Sequence, residues 1–188
     1  IWQTVWLEFV PSTYMVSSRI IPDYKNGTAT VTVRTWGCRK GTSLKLTASY
    51  NGTVCAEKEV LVSGEYTSAE LKMSEVHLWE PGNPALYDLK YELKKDEETI
   101  DSVSGYFGLR GVEIRGKKIC INGKSVFQRL VLDQGFYPDG IYTAPTDEDL
   151  KRDIELSMAA GFNGARLHQK VFEERFLYWA DKLGYLVW

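Results

Sequence analysis

Five side chains suited to binding a hydroxyl-rich ligand lie at the ends of three short apolar segments in the C-terminal half of the sequence. They are Asp133, Gln134, Arg166, His168 and Trp188. Carboxylate, amide, guanidinium and imidazole groups form directed hydrogen bonds with hydroxyl groups, and an indole ring can stack on an apolar ring face. If the segments are neighbouring parallel strands, their ends meet at one edge and can line one binding pocket.

Each of these side chains also has a structural explanation. Asp133 and His168 can meet solvent or cap a helix, Arg166 can form a structural ion pair, and Trp188 can be a core aromatic residue. The other histidine, His77, has no predicted role. Because the two histidines are far apart and have no cysteine at ligand spacing, the sequence predicts no metal site. No phosphate-binding or nucleotide-binding motif is present, so no cofactor is expected.

The elements that position these side chains follow a β-α-β-α-β pattern. Apolar segments at 126–133, 162–168 and 185–188 predict three strands. Right-handed crossovers place such strands side by side in a parallel sheet, which needs cover on both faces. Two helices are too few to cover both faces of this sheet. The last predicted strand is also the last segment of the sequence. We therefore expect this sequence to be part of a longer chain in which a (β/α) barrel continues.

The two predicted helices carry different signals. Thr146 and Asp149 have the spacing of a capping box at the start of the first helix. The apolar positions of that helix are Leu150, Ile154 and Met158, and Gly161 lies where its C-terminal cap belongs. The apolar positions of the second helix are Phe172, Phe176, Trp179 and Leu183, and it ends at Gly184.

The first hundred residues predict antiparallel β-structure. Apolar and polar residues alternate at 28–34 and 43–48, and less regularly at 54–62, 69–73 and 87–93. Turn signals at 26–27, 51–52 and 63–64 separate these segments, and another Asn-Gly pair at 122–123 predicts a later hairpin. About seven short strands at this spacing indicate an immunoglobulin-like β-sandwich. The predicted fold class is therefore mainly β plus α/β.

Composition excludes several classes of function. The formal net charge of −2 over 188 residues offers no broad attraction to nucleic acid or to an anionic membrane. Cys38, Cys55 and Cys120 have no metal-ligand spacing, and free thiols in a reducing compartment explain them most simply. A Cys38–Cys55 bridge is the alternative. We expect a cytoplasmic protein, while a periplasmic or secreted location stays open because residues upstream of Ile1 are expected.

Seven segments resemble family 2 of the glycoside hydrolases, the group of β-galactosidases, β-glucuronidases and β-mannosidases. They include Leu-Trp-Glu-Pro-Gly-Asn-Pro-Ala-Leu-Tyr at 78–87, Phe-Gly-Leu-Arg at 107–110 and Ile-Asn-Gly-Lys at 121–124. The others lie at 1–8, 153–166, 178–184 and 186–188. The resemblance implies that residues 1–9 end a jelly-roll, sugar-binding-type domain. It also implies an immunoglobulin-like sandwich at 10–106 and the N-terminal part of a TIM-barrel catalytic domain at 107–188.

The resemblance also implies a retaining mechanism with two catalytic glutamates about 5–5.5 Å apart. In the family both lie on later barrel strands, so no catalytic residue is expected in this sequence and the fragment alone is expected to be inactive. Arg166 matches a family arginine that lies near the nucleophile and helps keep it ionised. The sequence departs from well-known members at 128–134, at 166–170 and in the first barrel loop, 135–140, so no particular sugar is implied.

The implied partner is a β-glycoside in the whole enzyme, with no nucleic acid and no membrane, and the sandwich can also support a homo-oligomer. Two alternatives remain open. A non-catalytic carbohydrate-binding or interaction module explains residues up to about 105 but not the β-α-β-α-β continuation. A family member without its catalytic carboxylates would bind carbohydrate only.

Overall fold

The computed structural model describes residues 5–188, which fall into two compact units. The first contains Glu8–Leu78 and Ala85–Val112, and the second contains residues 5–7, Trp79–Pro84 and Glu113–Trp188. The strands are β1 (Tyr14–Asp23), β2 (Thr28–Trp36), β3 (Ser43–Tyr50), β4 (Thr53–Leu61), β5 (Tyr66–Lys72), β6 (Trp79–Glu80), β7 (Asn83–Pro84), β8 (Tyr87–Lys95), β9 (Glu98–Phe107), β10 (Val112–Arg115), β11 (Lys118–Ile121), β12 (Lys124–Ser125), β13 (Leu130–Asp133), β14 (Gly164–Leu167) and β15 (Leu186–Val187). The helices are α1 (Asp147–Ala159) and α2 (Glu174–Leu183). Neither has the length and apolar character that crossing a bilayer requires.

Two antiparallel sheets share the hydrophobic core of the first unit. Their strand orders are β1-β2-β5 and β4-β3-β8-β9. Alternate residues point inward, as the period-2 pattern predicts, so that Val31 and Val33 of β2 pack in the same core as Leu44 and Leu46 of β3. Each of these four side chains is fully buried. This antiparallel architecture is what the alternating segments predicted.

The turns of this unit follow the predicted chemistry where two strands form a hairpin. Asn51 and Gly52 both have positive φ, 49° and 82°, in the turn that joins β3 to β4, as a type I′ turn requires. Residues 63–64 instead connect strands of different sheets, β4 and β5. Strands β1 and β9 carried no clean alternation in the sequence, because most of their residues are exposed or only half-buried.

His77 is held in this unit by ring stacking and by a backbone hydrogen bond. Its ring stacks on that of Tyr50 with 3.9 Å between the centroids. Its backbone N–H donates to the Tyr87 hydroxyl, which in turn donates to the carbonyl of Glu75, both at 2.7 Å. The buried Tyr87 ring also stacks on Phe107. Cys38, Cys55 and Cys120 are all free thiols, so the alternative of a Cys38–Cys55 bridge is not realised.

A three-stranded parallel sheet forms the centre of the second unit, in the order β13-β14-β15. The predicted β-α-β-α-β sequence of elements is therefore confirmed. Residues Val131, Ala165 and Val187 are level with one another in the sheet and pack in one cluster with Ile154 of α1 and Phe176 of α2. Both helices thus lie on the same face of the sheet.

Several boundaries differ from the sequence prediction. Strand β13 begins at Leu130 instead of residue 126, and Phe127 in the excluded stretch is 80% exposed. Helix α2 begins at Glu174, so Phe172 precedes it, although its ring is buried against Phe176. The hairpin predicted at 122–123 is part of a sheet of three short strands, β10, β11 and β12, because the chain also turns at Gly116, which has φ 60°.

The end of α2 is joined to a short hairpin, β6–β7, that comes from much earlier in the chain. The Trp79 indole donates from Nε1 to the carbonyl of Asp181 at 2.8 Å. The carbonyl of Trp79 accepts from Asn122 Nδ2 at 2.9 Å, and the Gly82 N–H donates to Gly184 O at 3.0 Å. Three of the motifs singled out in the sequence, around 79, 122 and 184, therefore meet at one place.

The N-terminal segment carries no strand among its described residues. Residues 1–4, the first half of the predicted last strand of a preceding domain, lie outside the described residues. Val5, Trp6, Leu7 and Phe9 are between 65% and 100% exposed. A strand requires a hydrogen-bonded neighbour, and residues 5–9 are assigned to none of the sheets of this chain, so their place at the end of a preceding domain stays a prediction.

The start of α1 is fixed by the predicted capping box and by an ion pair with α2. Thr146 Oγ1 accepts from the Asp149 N–H, and the Asp149 carboxylate accepts from the Thr146 N–H. Asp147 accepts two bonds from Arg175, at 2.6 and 2.9 Å, and one from Trp179 Nε1 at 2.9 Å. These bonds to the ionised form, with that from Arg175 the largest cause, lower the pKa of the Asp147 carboxyl.

Gly164→Ala tests the close approach of the three parallel strands. A Cβ at this position would lie 2.5 Å from the Leu186 carbonyl oxygen and 2.6 Å from Leu130 Cδ2. We expect the variant to lose about 1–3 kcal/mol of unfolding free energy, as overpacked sites do. Faster hydrogen exchange at the Leu167 and Trp188 amides would report the loss. Gly64→Ala is the control, because no atom lies within 4 Å of its added Cβ; equal effects of the two substitutions would contradict the prediction.

Asp147→Asn tests the ion pair that joins the two helices. Because the native pKa of Asp147 is lowered, the pair stabilises the fold above the ordinary aspartate pKa of about 3.9. That contribution is lost as the pH falls through the native pKa. We expect the variant to unfold at a lower temperature than the parent chain at pH 7, and the difference to shrink at pH 3. Thermal unfolding measures it, with Asp139→Asn in an exposed loop as the control; a difference that grows on acidification would refute the assignment.

Candidate functional site

The five residues singled out by type and spacing lie at the carboxyl edge of the parallel sheet. Asp133 ends β13, Arg166 lies within β14, and Gln134, His168 and Trp188 follow their strands closely. Backbone bonds continue the sheet at this edge, because the His168 N–H donates to Asp133 O at 2.8 Å and the Leu167 N–H donates to Trp188 O at 2.7 Å. The structure therefore brings all three strand ends together.

Arg166 and Trp188 share the face of the sheet that carries no helix among the described residues. Arg166 pairs with Leu132 in the parallel register. It directly follows Ala165, which packs against the helices, so the Arg166 side chain points to the opposite face. Trp188 follows Val187 in the same way. The Arg166 guanidinium lies 5.5 Å from the centre of the Trp188 ring, and the ring is 62% exposed. Trp188 is thus not a core residue of the part of the chain that the structure describes.

Asp133 points to the other face and has a local structural role. It is level with Leu167, which packs with the helices. Its Oδ1 accepts from the Gly135 N–H at 2.8 Å and so fixes the first turn after β13. Gln134 is exposed and His168 is half-buried. Alternation along the strands therefore places Asp133 on the face opposite to Arg166 and Trp188.

A cluster of acidic and phenolic groups lies behind this edge, between the end of β13 and α1. Burial and a hydrogen bond with the Asp153 carboxylate raise the pKa of the Tyr137 hydroxyl. Although part of Asp153 is exposed, packing around its carboxyl raises its pKa, and the charges of Asp133 and Asp149 raise it further. The Tyr185 hydroxyl lies 2.6 Å from Ser157 Oγ in the same region. No local sequence signal marks this cluster, because its hydrogen-bonded partners are far apart in the chain: Tyr137 and Asp153 are separated by 16 residues, and Ser157 and Tyr185 by 28.

Lys170, like this cluster, was not predicted from the sequence. Its Nζ donates to Gly135 O at 2.7 Å and to Tyr142 O at 3.1 Å. It also lies 5.3 Å from the Tyr142 ring centre and 5.0 Å from that of Phe172. Lys170 therefore holds the segment after β13 against the segment after β14.

A cleft of about 710 Å³ opens where α1 and α2 begin. Its lining includes Thr146, Asp147, Glu173, Glu174 and Arg175. Arg175 and Asp147 are already paired with each other. Within residues 5–188, no group of three histidine, cysteine, aspartate or glutamate side chains could hold a metal ion. Carboxylates, hydroxyls and the Arg166 guanidinium above the Trp188 ring are instead the groups that this region offers to a ligand.

Comparison with known proteins identifies the family of the chain. The model of the family described as "Glycosyl hydrolases family 2" matches residues 13–110, just over half of the 188-residue chain. A β-galactosidase of Streptococcus thermophilus is 24% identical over 192 aligned residues, covering 100% of this chain and 19% of that protein. β-Mannosidase B of Emericella nidulans is 28% identical over 179 residues, covering 86% of this chain and 20% of that protein.

Solved structures agree in fold. A family 2 glycosyl hydrolase of Bacteroides cellulosilyticus superposes with a TM-score of 0.81 at 25% identity, over 95% of this chain and 26% of that one. An FMN-binding β-glucuronidase of Faecalibacterium prausnitzii, at 20% identity, gives a TM-score of 0.82 over 95% of this chain and 29% of that one. The chain spans about a fifth of the length of the curated relatives named above. With a family model matched over more than half of its residues, the chain belongs to family 2 of the glycosyl hydrolases.

Proposed function

We propose that this chain is part of a retaining glycoside hydrolase that acts on β-glycosides, to which it contributes one edge of the sugar pocket. Family membership supports the reaction class. Relatives named β-galactosidase, β-glucuronidase and β-mannosidase match at 24%, 28% and 28% identity. They share the β-glycosidic linkage and differ in the sugar, so the proposal covers β-glycosides as a class and leaves the sugar open.

The observation that carries this proposal is the placement of Arg166 and Trp188 on the helix-free face, at the carboxyl edge of the parallel strands. In a (β/α) barrel the helices lie outside, and the opposite face of each strand points into the barrel. Substrates bind at the carboxyl ends of those strands. Arg166 and the exposed Trp188 would accordingly face a substrate there.

The chemistry proposed for the whole enzyme needs two carboxyl groups about 5–5.5 Å apart. One attacks the anomeric carbon to form a glycosyl-enzyme while the other protonates the leaving oxygen, and the second then activates the water that releases the sugar. We place both glutamates on later barrel strands, outside this chain. The positive charge of Arg166 would lower the pKa of the nucleophilic carboxyl and keep it ionised.

The proposed domain organisation follows the family. Residues 10–106 form the immunoglobulin-like sandwich, residues 107–188 begin the catalytic barrel, and residues 1–9 end a preceding domain. The antiparallel unit and the parallel β-α-β-α-β unit support the first two assignments. Three free thiols support a reducing, cytoplasmic location.

Turnover of aryl glycosides tests the proposed reaction. We expect no release of 4-nitrophenolate when the 188-residue chain is incubated with 4-nitrophenyl β-galactoside, β-glucuronide or β-mannoside. A longer form that continues through the remaining barrel strands should hydrolyse at least one of them. Turnover by the 188-residue chain itself would show that the carboxylates are misplaced. Binding of sugars without turnover by the longer form would favour a carbohydrate-binding protein.

Arg166→Gln in the longer form tests the role of the guanidinium. We expect kcat/KM to fall about 10²–10³-fold, as it does when one stabilising donor is removed from an active site. The acid limb of the pH profile should move to higher pH by about 1–3 units, because the nucleophile loses a neighbouring positive charge. Arg152→Gln, on α1, is the control. Loss of activity with an unchanged acid limb would mean that Arg166 has only a structural role.

A further inference from the structure

The loop that follows β13, residues 135–143, is held in one shape by its own backbone. Tyr137 and Ile141 exchange both N–H···O bonds, each 2.9 Å long. A side chain at Gly140 would overlap the carbonyl of Thr143, and one at Gly135, with φ 63°, would lie 2.7 Å from Phe172 Cζ. Glycine is therefore required at both positions, and the loop, which we name the β13 loop, is closely packed.

Lys170 joins this loop to the next strand end. Its ammonium donates to a carbonyl at each end of the β13 loop, Gly135 O at 2.7 Å and Tyr142 O at 3.1 Å. A Cβ on Gly135 would lie only 2.8 Å from Lys170 Nζ, so the ammonium sits directly against the backbone. Two of its three N–H donors are satisfied by carbonyls that the folded loop presents together. No neutral side chain of similar length supplies both bonds.

The clamped loop exposes two aromatic rings. The rings of Phe136 and Tyr142 pack 5.0 Å apart, yet Phe136 remains 56% exposed and Tyr142 40% exposed. Lys170 lies over the Tyr142 ring at 5.3 Å, which fixes one member of the pair. The two rings are inclined at 43° to each other, so each offers its own apolar face to a ligand, at low entropic cost because the loop is held in place.

We propose that the β13 loop is a substrate-contacting element, that Phe136 and Tyr142 form its stacking surface for the apolar face of a sugar ring, and that Lys170 is its positioning residue. This inference rests on the proposed function, because only a barrel pocket places a glycoside at this edge. The loop follows the same sheet edge that carries Arg166 and Trp188. Pyranosides expose C–H groups on one face, and such faces pack on aromatic rings, whereas their hydroxyls need the polar groups of the strand ends.

The first test uses hydrogen exchange in the 188-residue chain. In Lys170→Met we expect the amides of Tyr137 and Ile141 to exchange about tenfold faster or more, since the loop opens locally. The sheet amides of Leu167 and Trp188 should be unchanged. Lys117→Met, in the exposed turn between β10 and β11, is the matched control. Unchanged exchange at Tyr137 and Ile141 would overturn the positioning role of Lys170.

The second test uses turnover by the longer form. We expect Lys170→Met and Phe136→Ala each to raise KM about tenfold, the size of one lost stacking contact, with kcat within about threefold of the parent. Lys170→Arg should restore part of the loss, because it keeps a charged donor. Phe136→Ala removes an exposed ring and leaves the two hydrogen bonds of Lys170 in place, so it tests the stacking surface alone. An unchanged KM in Phe136→Ala would overturn the stacking surface.

The two tests separate the possible failures. If the longer form of the parent sequence hydrolyses no β-glycoside, the proposed function fails, and the substrate-contacting role of the loop fails with it. If it is active, and Lys170→Met loosens the loop while neither Lys170→Met nor Phe136→Ala changes KM, the loop does not contact substrate and the proposed function stands. Faster exchange together with the raised KM supports the inference.

Discussion

The close approach of three parallel strands at Gly164 determines the geometry of the second unit. A Cβ there would meet atoms of both flanking strands, Leu130 on one side and Leu186 on the other, within 2.7 Å. The strands can therefore pair in this register only because position 164 has no side chain. The register then fixes which residues face the helices and which do not, since neighbouring residues of a strand point to opposite faces. Ala165 packs under the helices, and Arg166 emerges on the other face beside Trp188.

Much of the architecture could be predicted because its signals are local. The capping box of Thr146 and Asp149, the left-handed Gly184 after α2 and the Asn51-Gly52 turn each depend on residues within one or two turns of backbone. Periodicity also identified both helices. It placed Phe172 in α2, because a buried ring just before a helix has the same spacing as a ring within it.

The site itself was only partly predictable, because strand ends can be located from sequence but the direction of each side chain depends on the register. Asp133 and Arg166 both close apolar strands, yet they point to opposite faces. Lys170 and the Tyr137–Asp153 pair were missed for a different reason. Their partners lie 16 to 35 residues away in the sequence and are brought together only when α1 folds back on the sheet. Lysine donating to backbone carbonyls leaves no residue-type pattern that a sequence could display.

The β6–β7 hairpin has a consequence for the order in which the chain folds during synthesis. Trp79 leaves the ribosome 102 residues before Asp181, the carbonyl that satisfies its indole N–H, and Gly82 must likewise wait for Gly184. All strands that share the core of the first unit end before residue 108; they are β1–β5, β8 and β9. They can therefore pair before Asp181 and Gly184 have been synthesised. During that interval the hydrogen bond from Trp79 to Asp181 cannot yet form, although Trp79 is only 2% exposed in the folded chain. The hairpin therefore forms these bonds only after α2 has emerged, so it completes its hydrogen bonding later than the sheets of the first unit.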